Sequence, residues 1–414
     1  MEGNHKKQFC AGAAIGNITP SKAVMPLPLI WGIRFTKVND PLHVRALAMS
    51  DGDHKNLFIA FEMTLVPYPE ETLQFLTDAT GIPKERIFLT ATHTHGVTPL
   101  SMGLYKDDSA AEKKCRRYYQ EILPVLKFTV EKALDGMLPA KYGYGTGISD
   151  VNVNRDCEVA PGKWDLNNNY ERESDKTLRM VRFETLDGEM IALLVNYACH
   201  CTVMNGCIEP VLTTPVSADL AGRTCTKLEE QMPGGVVIWC SGASGDQAPK
   251  MGAQCWAKNK NGKLVRKSFG GKARILLEYL SDEHARDIKL ANQSIICNET
   301  SANIEVAESI ALAEAAAVNE PMVPYVLRLM MIGDIALQGI SAEIVTSVGK
   351  QVRAVSPYEK TILVSHTSGY QGYIADDFEY DHKCFEAGNS KTKKGTAEKA
   401  IVDGFKKMFD ESHR

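Results

Sequence analysis

Short runs of β-forming apolar residues recur along this chain, and several end in a side chain that can bind metal or move a proton. Arg86-Ile-Phe-Leu-Thr90 runs into Thr92-His-Thr-His-Gly96, Met190 to Ala198 ends beside His200, and Ile335 to Ile340 leads into Ser341-Ala-Glu343. Further strands are expected at 10–20, Pro41 to Met49, Leu57 to Phe61, Lys141 to Ser149, Gly235 to Cys240 and Thr361 to Ser365. Between them the apolar residues take a helical period, at Glu70 to Ala79, Ala110 to Leu138, Ser217 to Gln231, Gly270 to Asn292, Glu343 to Ala354 and Thr396 to Phe409. In the second of these, Tyr118, Tyr119, Ile122, Leu126 and Val130 are the expected inner positions. Alternation of this kind restricts the chain to an α/β (mixed α+β) class. No repeat, low-complexity tract or linker divides residues 1–414, which predicts one large domain.

On a strand, residues i and i+2 share a face. His93 and His95 are therefore expected to point the same way, with Gly96 leaving room beside them. Neutral imidazole is both a common zinc ligand and a common general base. Two surface histidines where a strand meets a loop would give the same pattern. What favours chemistry is the set of further ligand types at other strand ends: His200, Glu343 and Tyr373. A catalytic zinc takes three protein ligands and keeps a place for water, which suits two histidines and a carboxylate.

The bulk of the chain excludes other classes. Net charge is −4 with both signs dispersed, so no basic face for nucleic acid is expected. No apolar run is long enough for a membrane span, and the N-terminal Met1-Glu-Gly-Asn-His leads into no signal-peptide core. The 11 cysteines lack Cys-x-x-Cys spacing. Reduced thiols in a cytoplasmic protein are the simplest reading. Cys199 and Cys201 are expected to pack away from His200. Asp156 to Asp175 reads as a long polar loop, a lid or substrate-facing wall, and Trp31 stands near the end of a Pro-rich loop. The implied partner is a small-molecule substrate, with homo-oligomerisation left open.

The ordered blocks Ala13-Ala-Ile-Gly-Asn-Ile-Thr-Pro20, Asp40-Pro-Leu-His-Val-Arg-Ala-Leu47, Thr92-His-Thr-His-Gly96, Asn154-Arg155 and Asn196-Tyr-Ala-Cys-His200 continue into Ser217-Ala-Asp-Leu-Ala-Gly222, Gly242-Ala-Ser-Gly-Asp-Gln-Ala-Pro249, Ser341-Ala-Glu343 and Gly369-Tyr-Gln-Gly-Tyr-Ile374. In this order they resemble the N-terminal catalytic domain of neutral (non-lysosomal) ceramidases, and more closely the compact bacterial proteins that carry that domain alone. The resemblance implies Zn2+ held by His93, His200, Glu343 and Tyr373, with His95 as the catalytic partner and Arg155 near the polar atoms of the substrate. Asp219 and Asp246 could accept from a zinc histidine or act as caps and turn formers.

Two departures bear on substrate. The family's Gly-Asp-x-Ser-Pro serine is Ala248, which leaves metal-activated water as the attacking group. Its Tyr-Glu-Ala block is Phe385-Glu-Ala387, without a phenol as oxyanion donor. The chain also stops where ceramidases continue into an immunoglobulin-like domain. The expectation is a zinc hydrolase acting on a soluble amide, ester or lactone rather than on membrane ceramide. The alternative is a metal-dependent lyase or isomerase that polarises a carbonyl and uses His95 as acid/base. A non-catalytic scaffold is the third reading.

Overall fold

The computed structural model describes residues 7–29, 32–105, 107–208, 212–317 and 321–412. Trp31 and the first residues of the N-terminus lie outside them. The principal sheet has eight strands in the order Val236–Ser241, Met190–Tyr197, Thr177–Thr185, Leu138–Ile148, Cys10–Asn17, His43–Ser50, Lys55–Phe61 and Ile87–Ala91. A second sheet has four, in the order Ile304–Glu314, Met322–Ile332, Ile335–Ile340 and Lys360–Val364.

Alternation along the strands explains how these sheets stack. Phe58, Phe88, Leu194 and Ile238 point from the principal sheet into a core shared with Met330, Ile332, Leu337, Ile362 and Val364 of the second. Their neighbours Leu57, Ile59 and Leu89 point the other way, onto Tyr118, Tyr119, Ile122, Leu126 and Val130 of the Ser109–Asp135 helix. Leu193, Val195 and Trp239 meet Leu220 and Leu228 of Asp219–Gln231 and Leu277 and Leu280 of Ala273–Asn292. The outer face of the second sheet, with Tyr325, Leu327 and Leu329, is covered by Val348 and Val352 of Thr346–Ala354 and by Ile401 and Phe405 of Thr396–Ser412. The result is a helix–sheet–sheet–helix arrangement, in keeping with the mixed class expected from the alternation.

Two segments differ from the sequence reading. Asp156 to Asp175 is not one long loop: Asn152–Ala160 pairs antiparallel with Lys163–Asn169 across a turn where Gly162 has φ 70°. The Ile304–Glu314 and Met322–Ile332 pair was not anticipated at all. All 11 cysteines are free thiols, and Cys199 and Cys201 are core residues as expected. Among the described residues no helix is long and apolar enough to cross a membrane.

The fold positions chemistry by three parallel strand pairs: Lys55–Phe61 with Ile87–Ala91, Met190–Tyr197 with Val236–Ser241, and Ile335–Ile340 with Lys360–Val364. The residues just past their C-terminal ends include His93, His200, Ser244, Glu343 and His366, the usual location of sites in α/β sheets. The ends of the two sheets are tied together there. Ser365 N–H donates to Ser241 O at 2.9 Å, Ser365 Oγ to Gly242 O at 2.7 Å, and Thr90 Oγ1 to Ser365 O at 3.0 Å.

Candidate metal centre

The strand delivering the first histidine ends at Ala91, before the motif. His93 has φ 58°, a left-handed conformation that costs a non-glycine residue on the order of 1–3 kcal/mol. Strand alternation therefore does not bring His93 and His95 together, as the sequence suggested; a kink does, and their Nε2 atoms lie 3.2 Å apart. The segment is held by a parallel bridge from Thr94 to Cys201 and by His95 N–H donating to Cys201 O at 3.2 Å. Gly96 is required for contact rather than for room, because a Cβ there would strike the Ser217 carbonyl.

His93 and His200 each have Nδ1 held from behind. His93 Nδ1 is 2.7 Å from Thr64 O, and His200 Nδ1 is 2.6 Å from Ser244 O and 3.1 Å from Gln247 O. A carbonyl only accepts, so both Nδ1 atoms carry a proton, and in the neutral ring each Nε2 presents a lone pair. Those lone pairs face one carboxylate: Glu343 Oε2 is 3.3 Å from His93 Nε2 and 2.9 Å from His200 Nε2. Tyr373 reaches this point because Glu343–Ile344 and Tyr373–Ile374 pair in parallel with Glu343 opposite Tyr373. Its hydroxyl is 3.3 Å from His200 Nε2.

This contact tests whether a metal fits. For His200 to donate from Nε2 it would have to be imidazolium. Burial and, next, the Arg155 charge push its pKa down to about 4 despite Glu343. Two acceptors then face each other at 2.9 Å, which is unfavourable unless a cation lies between them. Ligand atoms around a tetrahedral zinc lie roughly 3.3–3.6 Å apart, close to the separations here. Two imidazoles, a carboxylate and a phenol form an N/O set suited to a borderline divalent metal.

His95 belongs to the same cluster as His93 and His200. It differs in being partly exposed, and its link to Glu343 runs through His93. Burial, then His93 and His200, hold His95 well below the ordinary imidazole value, so it is neutral near pH 7. Arg155 Nη2 donates to Tyr373 OH at 3.0 Å and Arg155 Nε to Glu386 Oε1 at 2.8 Å.

Neither aspartate accepts from a histidine. Asp219 accepts from Val203 and Met204 N–H at 2.9 and 2.8 Å, fixing the segment after His200. Asp246 accepts from Thr346 N–H and Asn154 Nδ2 at 2.9 and 2.8 Å, joining the Arg155 strand to a helix start. The carbonyls of Thr64, Ser244 and Gln247 do the work considered for them.

Three residues escaped the sequence reading. Tyr370 OH donates to Glu343 Oε1 at 2.8 Å, and Glu386 holds Arg155. His366 is buried and stacked on His93 with ring centroids 3.9 Å apart, and neither of its nitrogens has a hydrogen-bond partner. It follows a strand end, so the rule that found His200 would have found it. Two surface clefts of ≈ 430 and ≈ 520 Å³, one lined by Arg86 and Glu308 and the other by Tyr142 and Asp334, contain none of these groups.

No protein-family model matches the chain. It is 25% identical over 182 residues to the neutral ceramidase of Drosophila pseudoobscura pseudoobscura and 26% identical over 186 residues to that of Drosophila melanogaster. Each match covers 41% of this chain and 25% of the relative, so it spans a quarter of the curated relatives' length. In fold the chain is similar to the crystal structure of neutral ceramidase from Pseudomonas aeruginosa, with TM-score 0.76 at 13% identity over 98% of this chain and 75% of that one. A ceramidase complexed with C2 gives TM-score 0.73 at 13% identity over 98% and 76%. The chain therefore has the fold of the neutral ceramidase structures, and part of its sequence is similar to neutral ceramidases.

Proposed function

We propose that the chain is a zinc-dependent hydrolase cleaving a C–N amide bond, or an ester or lactone, of a soluble small-molecule substrate. The observation that carries this reading is the approach of His93 Nε2 and His200 Nε2, both lone-pair donors, to one oxygen of Glu343 at 3.3 and 2.9 Å. The neutral ceramidases among the relatives support amide chemistry at such a centre. The free thiols and the net charge of −4 fit a cytoplasmic setting without a nucleic-acid partner.

His93, His200, Glu343 and Tyr373 would hold the metal. Bound there, zinc supplies a Lewis acid that polarises a carbonyl and lowers the pKa of water. The protein does the rest. The Thr64, Ser244 and Gln247 carbonyls keep the imidazoles in register. Arg155 orients the Tyr373 phenol and offers positive charge to a developing oxyanion. That matters because Phe385 lacks the hydroxyl its position would need for this task. Neutral, accessible His95 takes a proton from attacking water and returns it to the leaving amine or alcohol.

Elemental analysis of the purified protein, beside His93→Ala and His200→Ala, tests the centre. The expected result is about one zinc per chain, lost in both variants. A wild type that takes up no zinc even when it is supplied would overturn the reading. Turnover in 18O-labelled water then separates hydrolysis from the lyase or isomerase alternative, since hydrolysis alone places solvent oxygen in the product acid.

A further inference from the structure

Next to Arg155 three carboxylates meet. Asp156 comes from the Asn152–Ala160 strand, Glu379 from the Asp377–His382 helix and Glu386 from Phe385–Gly388. One oxygen from each lies within 4.8 Å of the other two. The residues are 1%, 0% and 0% exposed. Each glutamate spends one oxygen on the protein: Glu379 Oε2 accepts from Asp376 N–H at 3.1 Å, and Glu386 Oε1 from Arg155. The remaining oxygens, Glu379 Oε1 and Glu386 Oε2, and Asp156 Oδ2 are buried with no hydrogen-bond partner.

Such a group is not stable as it stands. A buried ion costs several kcal/mol unless it is paired, and a buried carboxylate oxygen without a donor forfeits its hydration. Among the described residues the ion pair made by this cluster is Glu386 with Arg155. Three carboxylates against one guanidinium leave two negative charges. Burial, then repulsion from Glu386, pushes Asp156 up to about 9. Burial, then Asp246 and Asp156, pushes Glu379 up to about 11. The cluster must therefore take up either two protons or one divalent cation.

We propose that Asp156, Glu379 and Glu386 hold a hard divalent cation, calcium or magnesium, at a second site separate from the histidine centre. The donors are all oxygen, the preference of these ions rather than of zinc. One 2+ ion cancels the two uncompensated charges. One oxygen from each of three separate elements converges, whereas proton sharing needs only two in contact. The ion braces the hairpin strand against two short helices. Through Glu386, Arg155 and Tyr373 it steadies the neighbouring centre. The site does not depend on what reaction that centre performs.

The test uses the full chain, stripped with chelator and titrated with CaCl2 or MgCl2 by calorimetry and thermal unfolding. The range extends to about 10 mM, above the roughly 10⁻⁴–10⁻³ M of weak calcium sites. One equivalent of one of the two ions binds and raises the unfolding temperature, in wild type and in His200→Ala alike. Asp156→Asn with Glu379→Gln keeps shape and removes two charges. That variant no longer binds the ion, and in chelator it unfolds no earlier than wild type. Binding that survives the double substitution overturns the proposal. So does a wild type indifferent to both ions over the whole range, which would leave shared protons as the neutralising agent. If the double variant does not fold, the wild-type titration still decides.

Discussion

Arg155 separates two clusters that face the same difficulty and differ in donor chemistry. On one side two imidazole nitrogens and a phenol surround a single carboxylate, Glu343. On the other, three carboxylates converge and the guanidinium reaches one of them. Both bring acceptor atoms together in burial, and each needs positive charge between them. The first has its geometry fixed by backbone carbonyls, so it selects by direction and by nitrogen. The second has only charge to offer, so it selects for a hard, doubly charged ion. The contrast shows why two clusters so close together need not compete for one metal.

Removing the separator has the largest expected effect. Arg155→Met keeps an aliphatic stem and deletes the charge. Glu386 is then a buried carboxylate without its cation, and breaking a buried pair from one side costs roughly 3–5 kcal/mol. Urea unfolding of the metal-free protein measures this. A loss below about 1 kcal/mol, the scale of an exposed pair, would show that the two clusters are not coupled through Arg155. Saturating calcium or magnesium should recover part of the loss.

A smaller effect is confined to the histidine side. Tyr370 touches Glu343 through the oxygen that faces away from the histidines. Tyr370→Phe leaves all four proposed ligands in place and removes one outer donor. Losing such a partner lowers metal affinity about 10–100-fold. Competition against a chromogenic zinc chelator reads it directly. Unchanged affinity would mean that Glu343 is oriented by its backbone alone, through the parallel pairing with Tyr373.

How much of this was legible depended on whether local pattern and tertiary packing agreed. His200 and Glu343 follow strands with clear alternation, and their positions could be read. The pairing of His93 with His95 was right in outcome and wrong in cause, because no sequence rule announces a histidine at φ 58°. Ile304–Glu314 was invisible for another reason. It is rich in Ala and Glu, poor strand formers. It also buries Ala311 and Ala313 while Ile310 and Leu312 face solvent. Its pattern points to the wrong face, and only packing against Thr396–Ser412 decides it. The lid-like loop failed on an overlooked Pro161-Gly162 turn signal. Glu379 and Glu386 lie in short helices where no periodicity marks them as buried.

A third comparison distinguishes an imidazole that faces a cluster from one that does not. His284 is buried like His200, yet both its nitrogens are used by the protein. Nδ1 is 2.8 Å from Ser149 Oγ, and Trp239 Nε1–H donates to Nε2 at 3.3 Å. Burial pushes its pKa down to about 3, against about 6.5 in the unfolded chain. Between those values the unfolded state holds a proton that the folded state refuses. Stability therefore falls as pH drops through this window, by up to about 1.4 kcal/mol per pH unit from this group. Urea unfolding at several pH values from 7 to 4 should show a steeper decline in wild type than in His284→Gln. The decline due to His284 should also persist in chelator. Acid sensitivity that passes through metal release should vanish there, which leaves only what burial of the metal-free His200 contributes in wild type and variant alike. If chelator abolished the difference between wild type and His284→Gln, His284 would belong with the metal-facing histidines after all.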